Sequence, residues 1–177
     1  PSGQRSASDP ATLVTDAELM ALAIKEACEG LEEGGEPVGS VVARDGLVLG
    51  RGRNRLRQNG DPTAHAEMEA YRDAACRLSQ SGDVEGIEPG LHGATVFTTA
   101  MPCEMCSGAI LRFRADRVVV AEAKTYTPAG TQTLLERQGV AVEVWQDTAM
   151  LALIDTYFSR YPQRRTAHEH GDDRPLL

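Results

Sequence analysis

Four side chains in two short stretches have the types and spacing to assemble a metal centre with its own proton carrier. One stretch is His65-Ala66-Glu67 and the other is Pro102-Cys103-Glu104-Met105-Cys106. Cys103 and Cys106 stand three residues apart. On a helix that spacing puts both sulfurs on one face, one turn apart and close enough to share a metal. Pro102 suits the first position of such a helix, where its missing N–H costs nothing. The thiolates then lie in the positive field of the helix N-terminus, which lowers their pKa and favours the metal-binding form. His65 supplies a neutral imidazole nitrogen as the third ligand. Three protein ligands leave the fourth tetrahedral position of a zinc ion to water, as in catalytic zinc sites. Glu67, two residues from His65, is close to the ion yet free to carry protons. Taken singly the pieces say little, since a lone Cys-x-x-Cys is also a redox pair or half of a structural zinc site. Their order, each opening a helix after a strand-like segment, makes the combination specific.

The elements around these motifs are legible from capping and periodicity. Thr15 and Glu18 form a capping box, and Met20, Ala23, Ile24, Ala27, Cys28 and Leu31 follow helical spacing up to Gly34-Gly35. Val38 to Ala43 and Leu47 to Arg53 read as strands joined by an Asp45-Gly46 turn. Arg51, Arg53, Arg55 and Arg57 alternate, so a continuing strand puts them on one face. They are either an anion-binding patch or, as we favour, a solvated face paired with some of the 26 acids. Gln58 to Pro62 is a turn, and a helix runs from about Ala64 to Ser79. Ser81 to Gly93 reads as an acidic loop with no assignable chemistry. Ala94 to Thr99 is a short strand that delivers the chain to the cysteine helix, which extends to about Phe113. The Val118-Val119-Val120 run predicts a strand buried on both faces. With the helix Thr131 to Gln138 and the strand Val140 to Trp145 it makes a parallel β-α-β unit. Asp147 caps a last helix that Pro162 stops. The predicted architecture is a three-layer α/β/α sandwich around a mixed five-stranded sheet. The predicted organisation is a flexible lead over residues 1–13, one catalytic domain over 14–171 and a tail over 172–177.

Composition narrows the class. Hydrophobic residues make up 41% of 177, enough for one sizeable core, and no apolar run is long enough to cross a membrane. Pro1 to Pro10 lacks the apolar segment of a secretory signal, so a cytoplasmic protein with no membrane association is expected. Cys28 and Cys76 fall on Ala-rich predicted helices and are expected to be buried free thiols. A net charge of −8 argues against a large polyanionic partner such as tRNA.

The order His-x-Glu followed by Pro-Cys-x-x-Cys is the signature of zinc-dependent base and nucleoside deaminases. From roughly Thr15 to Gly171 the chain resembles the cytidine deaminase superfamily, and within it most closely the fungal-type cytosine deaminases. The likeness rests on Glu33-Gly34-Gly35-Glu36-Pro37-Val38-Gly39, Leu49-Gly50-Arg51-Gly52-Arg53-Asn54, the two zinc motifs, Cys106-Ser107-Gly108-Ala109-Ile110 and Arg137-Gln138-Gly139-Val140. Asp61-Pro62-Thr63-Ala64-His65-Ala66-Glu67 is shared even more closely with bacterial guanine deaminases and tRNA adenosine deaminases.

The resemblance implies a zinc cofactor, no nucleotide or redox cofactor, a homodimer, and hydrolytic removal of an exocyclic amine with Glu67 as proton carrier. It implies that Asn54 and the backbone N–H of Ala66 hold a ring carbonyl and that Tyr126 lines the pocket. Asn54 is alternatively a turn former, and Tyr126 a packing residue. Fungal enzymes close the pocket with a C-terminal tryptophan and an aspartate that binds the exocyclic amine. Here the tryptophan is absent, Glu169 is the nearest carboxylate, and Met101 replaces a serine before the cysteine motif. The implied substrate is a free small base, cytosine first and guanine or another cyclic amidine next. Adenosine in tRNA and a non-catalytic zinc module follow.

Overall fold

The computed structural model describes residues 14–80, 85–126 and 128–164. Helix α1 (Asp16–Glu32) begins at the expected capping box, with the Glu18 N–H donating to the Thr15 hydroxyl and the Thr15 N–H to the Glu18 carboxylate. Strands β1 (Gly39–Arg44) and β2 (Leu47–Arg53) form a hairpin whose turn residues, Asp45 and Gly46, both have positive φ. Helix α2 (Leu56–Asn59) and helix α3 (Ala66–Ser79) follow, then α4 (Ile87–Leu91) and β3 (Thr95–Thr98). Helix α5 (Glu104–Arg112) carries the cysteines into β4 (Arg117–Val120). Helix α6 (Thr131–Arg137), β5 (Ala141–Val144) and α7 (Thr148–Arg160) complete the described fold, with a 3-10 turn at Pro162–Arg164.

The five strands form one mixed sheet in the order β2-β1-β3-β4-β5. β2, β1 and β3 are antiparallel neighbours, and β3, β4 and β5 run parallel. Side chains alternate across it as the pleat requires. Val41, Phe97 and Val119 pack with residues of α1 and α7, whereas Val42, Val96, Val118 and Val120 pack with residues of α3, α5 and α6. Val118 to Val120 are all fully buried, as the apolar run predicts for a strand covered on both faces.

Two glycines set how closely α3 approaches the sheet. A Cβ at Gly50 would come within 2.4 Å of the Ala70 carbonyl oxygen and the Ala74 nitrogen, and one at Gly52 within 2.5 Å of the Ala70 nitrogen. Only glycine permits this backbone-to-backbone contact, which seats α3 and so the His65 motif at its N-terminus.

Two sequence expectations need correction, on the free cysteines and on the loop after α3. β2 ends at Arg53 as read, and α2 starts at Leu56, ahead of the segment read as a turn, so Arg55 and Arg57 do not continue the strand face. A backbone turning after the strand allows the Leu56 N–H to donate to the Asn54 side chain at 3.0 Å. Cys76 is exposed, because the small residues of α3 that pack inward are Ala70 and Ala74 on another face, and Cys28 on α1 is half-buried. The segment read as a structureless loop contains α4, whose Leu91 is buried in the core. The arginines do pair with acids: Arg53 bonds Glu26, Glu29 and Glu33 at 2.5–2.8 Å, and Arg51, Arg55 and Arg57 face Glu26, Glu33 and Glu36 at 3.2–3.5 Å. Among the described residues, no helix is long and apolar enough to cross a membrane.

Candidate active site

The N-termini of α3 and α5 meet beyond the carboxyl end of β3, the edge at which α/β sheets hold their ligands. His65 is the N-cap of α3 and Cys103 the N-cap of α5, with Cys106 in its first turn. Pro102 therefore precedes the cap rather than opening the helix, and Cys103 sits at the helix mouth. The His65 Nδ1 lies 3.5 Å from Cys103 Sγ and 3.7 Å from Cys106 Sγ. All three donor atoms lie within 4.8 Å of one another. Tetrahedral zinc with bonds of about 2.3 Å to sulfur and about 2.05 Å to nitrogen separates a sulfur and a nitrogen ligand by about 3.6 Å. Both nitrogen–sulfur distances stand near that separation, so the donor set fits a zinc ion.

Of the three donors, only Cys103 is pushed toward its metal-binding thiolate form by its neighbours. The Cys103 thiol is held down to about 4, chiefly by the hydrogen bond from Cys106, and Cys106 is pushed up by the same contact and by burial. His65 is raised, first by its contact with Cys103 and against the opposing effect of burial. Glu67, in the first turn of α3, is only 3% exposed. Burial raises its carboxyl above the ordinary range, because the charged form loses its water. The Thr98 hydroxyl donates to its Oε1 at 3.1 Å and the Cys106 thiol to its Oε2 at 3.3 Å. Glu67 thus borders the donor set while standing outside it.

A cavity of about 210 Å³ opens on this cluster and is bordered by His65, Ala66, Glu67 and Cys103. Asn54, Ala66 and Tyr126, picked out in the sequence, all line it. Asn54 is also the turn former: its Oδ1 accepts from Leu56, which aims the Nδ2 donor elsewhere. Tyr126 is half-buried, with its hydroxyl pushed up to about 12, mainly by burial and then by the Cys103 charge. Glu169 lies outside the described residues, as do residues 1–13 and 172–177. The far wall is Ile154, Tyr157 and Phe158 of α7. The sequence reading placed these three only in a core-packing stripe, and they serve both purposes.

Three further residues carried weaker signals. Thr98 faces Glu67 from the end of β3. Glu122 is fully buried and accepts the N–H groups of Lys124 and Thr125 at 2.8 and 3.1 Å, shaping the loop that presents Tyr126. A carboxylate directly after the Val-Val-Val-Ala run was the available sign of it. Glu36 also lines the cavity. In the sequence it appeared only within the Glu33 to Gly39 stretch, with no role attached.

Residues 13–122 match the family described as the cytidine and deoxycytidylate deaminase zinc-binding region. With the fold and donor set above, the chain belongs to this family of zinc-binding hydrolytic deaminases, which act on C–N bonds. The chain is 32% identical over 151 residues to a cytosine deaminase of Candida albicans, spanning 84% of this chain and 92% of that one. It is 30% identical over 171 residues to a tRNA-specific adenosine deaminase of Streptococcus pyogenes, spanning 91% and 94%. A guanine deaminase structure from Nitrosomonas europaea shares the fold with a TM-score of 0.69 and 24% identity, over 85% of this chain and 88% of that one.

Proposed function

We propose that the protein is a free-base deaminase that converts cytosine and water to uracil and ammonia, with Glu67 as its catalytic residue and His65, Cys103 and Cys106 as the zinc ligands. The observation that carries this reading is the cavity. At about 210 Å³ it falls below the roughly 300–1,000 Å³ of drug-sized ligand sites. That space suits a single heterocycle, with Asn54 and the Ala66 N–H at its polar side and α7 closing the apolar side.

When bound, zinc brings the pKa of water toward neutrality and so makes a nucleophile available at ordinary pH. Glu67 takes the proton of the attacking water and passes it to ring N3, which makes C4 electrophilic. A C–O bond forms at C4. Glu67 then takes the remaining proton of the added hydroxyl and delivers it to the amine, the C4–N bond breaks as C4=O forms, and ammonia leaves while N3 keeps its hydrogen. Thr98 holds Oε1 throughout, which fixes the carboxylate while it works. The raised pKa favours the protonated form of Glu67 that this second half requires. Asn54 and the Ala66 N–H, an unshared donor of the first helical turn, hold the ring carbonyl. Tyr126 and Phe158 flank the ring. Glu169 is assigned to the exocyclic amine on the resemblance, and the domain at 14–171 acts as a homodimer.

The test is ammonia release across purified aminopyrimidines and aminopurines, with cytosine expected to give the highest kcat/KM. The second reading is guanine, favoured by the Asp61–Glu67 stretch. Adenosine in tRNA is disfavoured by the net charge of −8 and by arginines that already face acids. Deamination of a tRNA stem-loop with no turnover of any free base overturns the proposal.

A further inference from the structure

Glu36 is a second carboxylate in the pocket that the deaminase chemistry does not use. It borders the same cavity as Glu67, Asn54 and Tyr126 and its side chain is 20% exposed. Among the described residues two side-chain donors reach it, both at the long end of hydrogen-bonding distance: Asn54 Nδ2 at 3.4 Å and Arg57 Nη2 at 3.5 Å. An ionised carboxylate offers about four acceptor sites, so these two contacts leave capacity for a ligand. Its negative charge acts on both His65 and Tyr126, which border the same cavity.

Asn54 fixes what lies beside that acceptor. The Leu56 N–H occupies Asn54 Oδ1 at 3.0 Å, so the amide group turned toward Glu36 is the NH₂. One of its hydrogens points to Glu36 and the second is available to a ligand. Donor and acceptor side by side match a ring carbonyl flanked by a ring N–H. In cytosine that edge is O2 with N1–H, on the side of the carbonyl away from N3. A substituent on that nitrogen removes the donor and sets carbon against a carboxylate, which then loses water without gaining a partner.

We propose that Glu36 is a specificity-determining residue whose carboxylate accepts a hydrogen bond from the ring N–H beside the carbonyl held by Asn54. It admits free bases and rejects forms substituted at that nitrogen, which for cytosine includes the nucleoside. This rests on the free-base reading above and adds the group that enforces it.

The experiment compares cytosine with 1-methylcytosine as substrates of the zinc-loaded wild type, Glu36→Val and Glu36→Gln, with zinc content and Tm measured in parallel. The wild type is expected to favour cytosine by about 100-fold or more in kcat/KM. Glu36→Val lowers kcat/KM for cytosine by about tenfold or more, mainly through KM, because the contact is made in ground and transition states alike. It leaves 1-methylcytosine unchanged or improved, so the preference collapses. Glu36→Gln keeps an acceptor oxygen without the charge and falls between. If Glu36→Val loses zinc or folds poorly, Glu36→Gln decides, since its size and shape are conserved. A preference that survives both substitutions overturns the role of Glu36 and leaves the free-base reading standing. If guanine rather than cytosine is turned over, the side of its carbonyl away from the reacting carbon carries no ring N–H, and the role given to Glu36 is overturned while the free-base reading stands. No turnover of any free base by the wild type removes both readings together.

Discussion

The two halves of the pocket are built differently. The half that gathers the metal donors and Glu67 hangs on the ends of regular elements: His65 and Cys103 as helix N-caps, Glu67 and Cys106 in the first turns, Thr98 at the end of β3. The half that meets the rest of a substrate comes from loops and from α7: Glu36, Asn54, Thr125 and Tyr126, then Ile154, Tyr157 and Phe158. The first half lies entirely within the family match at residues 13–122, whereas Tyr126 and the α7 residues lie beyond it. A zinc ion demands particular donor atoms at particular separations, and few arrangements supply them. Enclosing a ring demands only shape and a few placed polar groups, which many sequences supply. On the proposed function, the first half does the chemistry and the second half chooses the substrate.

If that division is right, damage to the first half abolishes all turnover and damage to the second redistributes it. The largest effect is expected for Cys103→Ala, which removes one of three ligands. Zinc content should fall from about one per chain to near zero, and ammonia release to background with every base. Full occupancy in this variant would disprove the donor set. Next is Glu67→Gln, which keeps size and hydrogen bonding but cannot shuttle a proton. Zinc content and Tm should persist while kcat drops by about 10²–10⁴, and a near-normal rate would assign the proton transfer to another group. Thr98→Val should be milder. Losing one hydrogen bond to Glu67 is worth about 1 kcal/mol, or about fivefold in kcat, with substrate ranking unchanged. A changed ranking in Thr98→Val would blur the division between the halves.

The same division explains which residues could be recognised before the fold was known. His65, Glu67, Cys103 and Cys106 are local motifs, and local spacing on a helix is a property of sequence. The Thr15 capping box, the Asp45-Gly46 hairpin and the buried valine strand are local too, and all three appear in the fold. Glu36 and Glu122 act through contacts set by how loops pass over the sheet, which spacing does not encode. α7 was legible as an apolar stripe, but that a stripe also walls a cavity follows only from its position against β1, β3 and β4. The end of β2 at Arg53 was legible, but not that Asn54 turns the chain there by accepting the Leu56 N–H, which takes Arg55 and Arg57 off the strand face. The resemblance supplied Asn54, Ala66 and Tyr126, which residue patterns alone would have left as a turn, a helix start and a packed aromatic.

The smallest effects are expected at the arginine-rich edge, outside both halves. Arg51 and Arg55 are 44% and 40% exposed in their side chains and face acids at 3.2 and 3.5 Å. Exposed pairs of this kind contribute about 0–1 kcal/mol each. Changing both to Gln should lower stability by less than about 1 kcal/mol and leave turnover of a small base unaltered. Arg53 holds the Glu33 carboxyl below its ordinary range, first through their hydrogen bond. Because the folded value lies below the unfolded one, the stabilisation is present above the unfolded value and is lost as pH falls through the folded value. The difference in stability between wild type and Glu33→Gln should therefore be greatest near neutrality and fade on acidification below about pH 4.5, the ordinary carboxyl value. Solvent exposure and salt keep it within about 1 kcal/mol. Turnover should show no matching pH step, since this edge does not border the cavity. A large, salt-sensitive loss of activity in the Arg51 and Arg55 double variant would mean that the edge binds an anionic substrate. Specificity would then extend beyond the pocket.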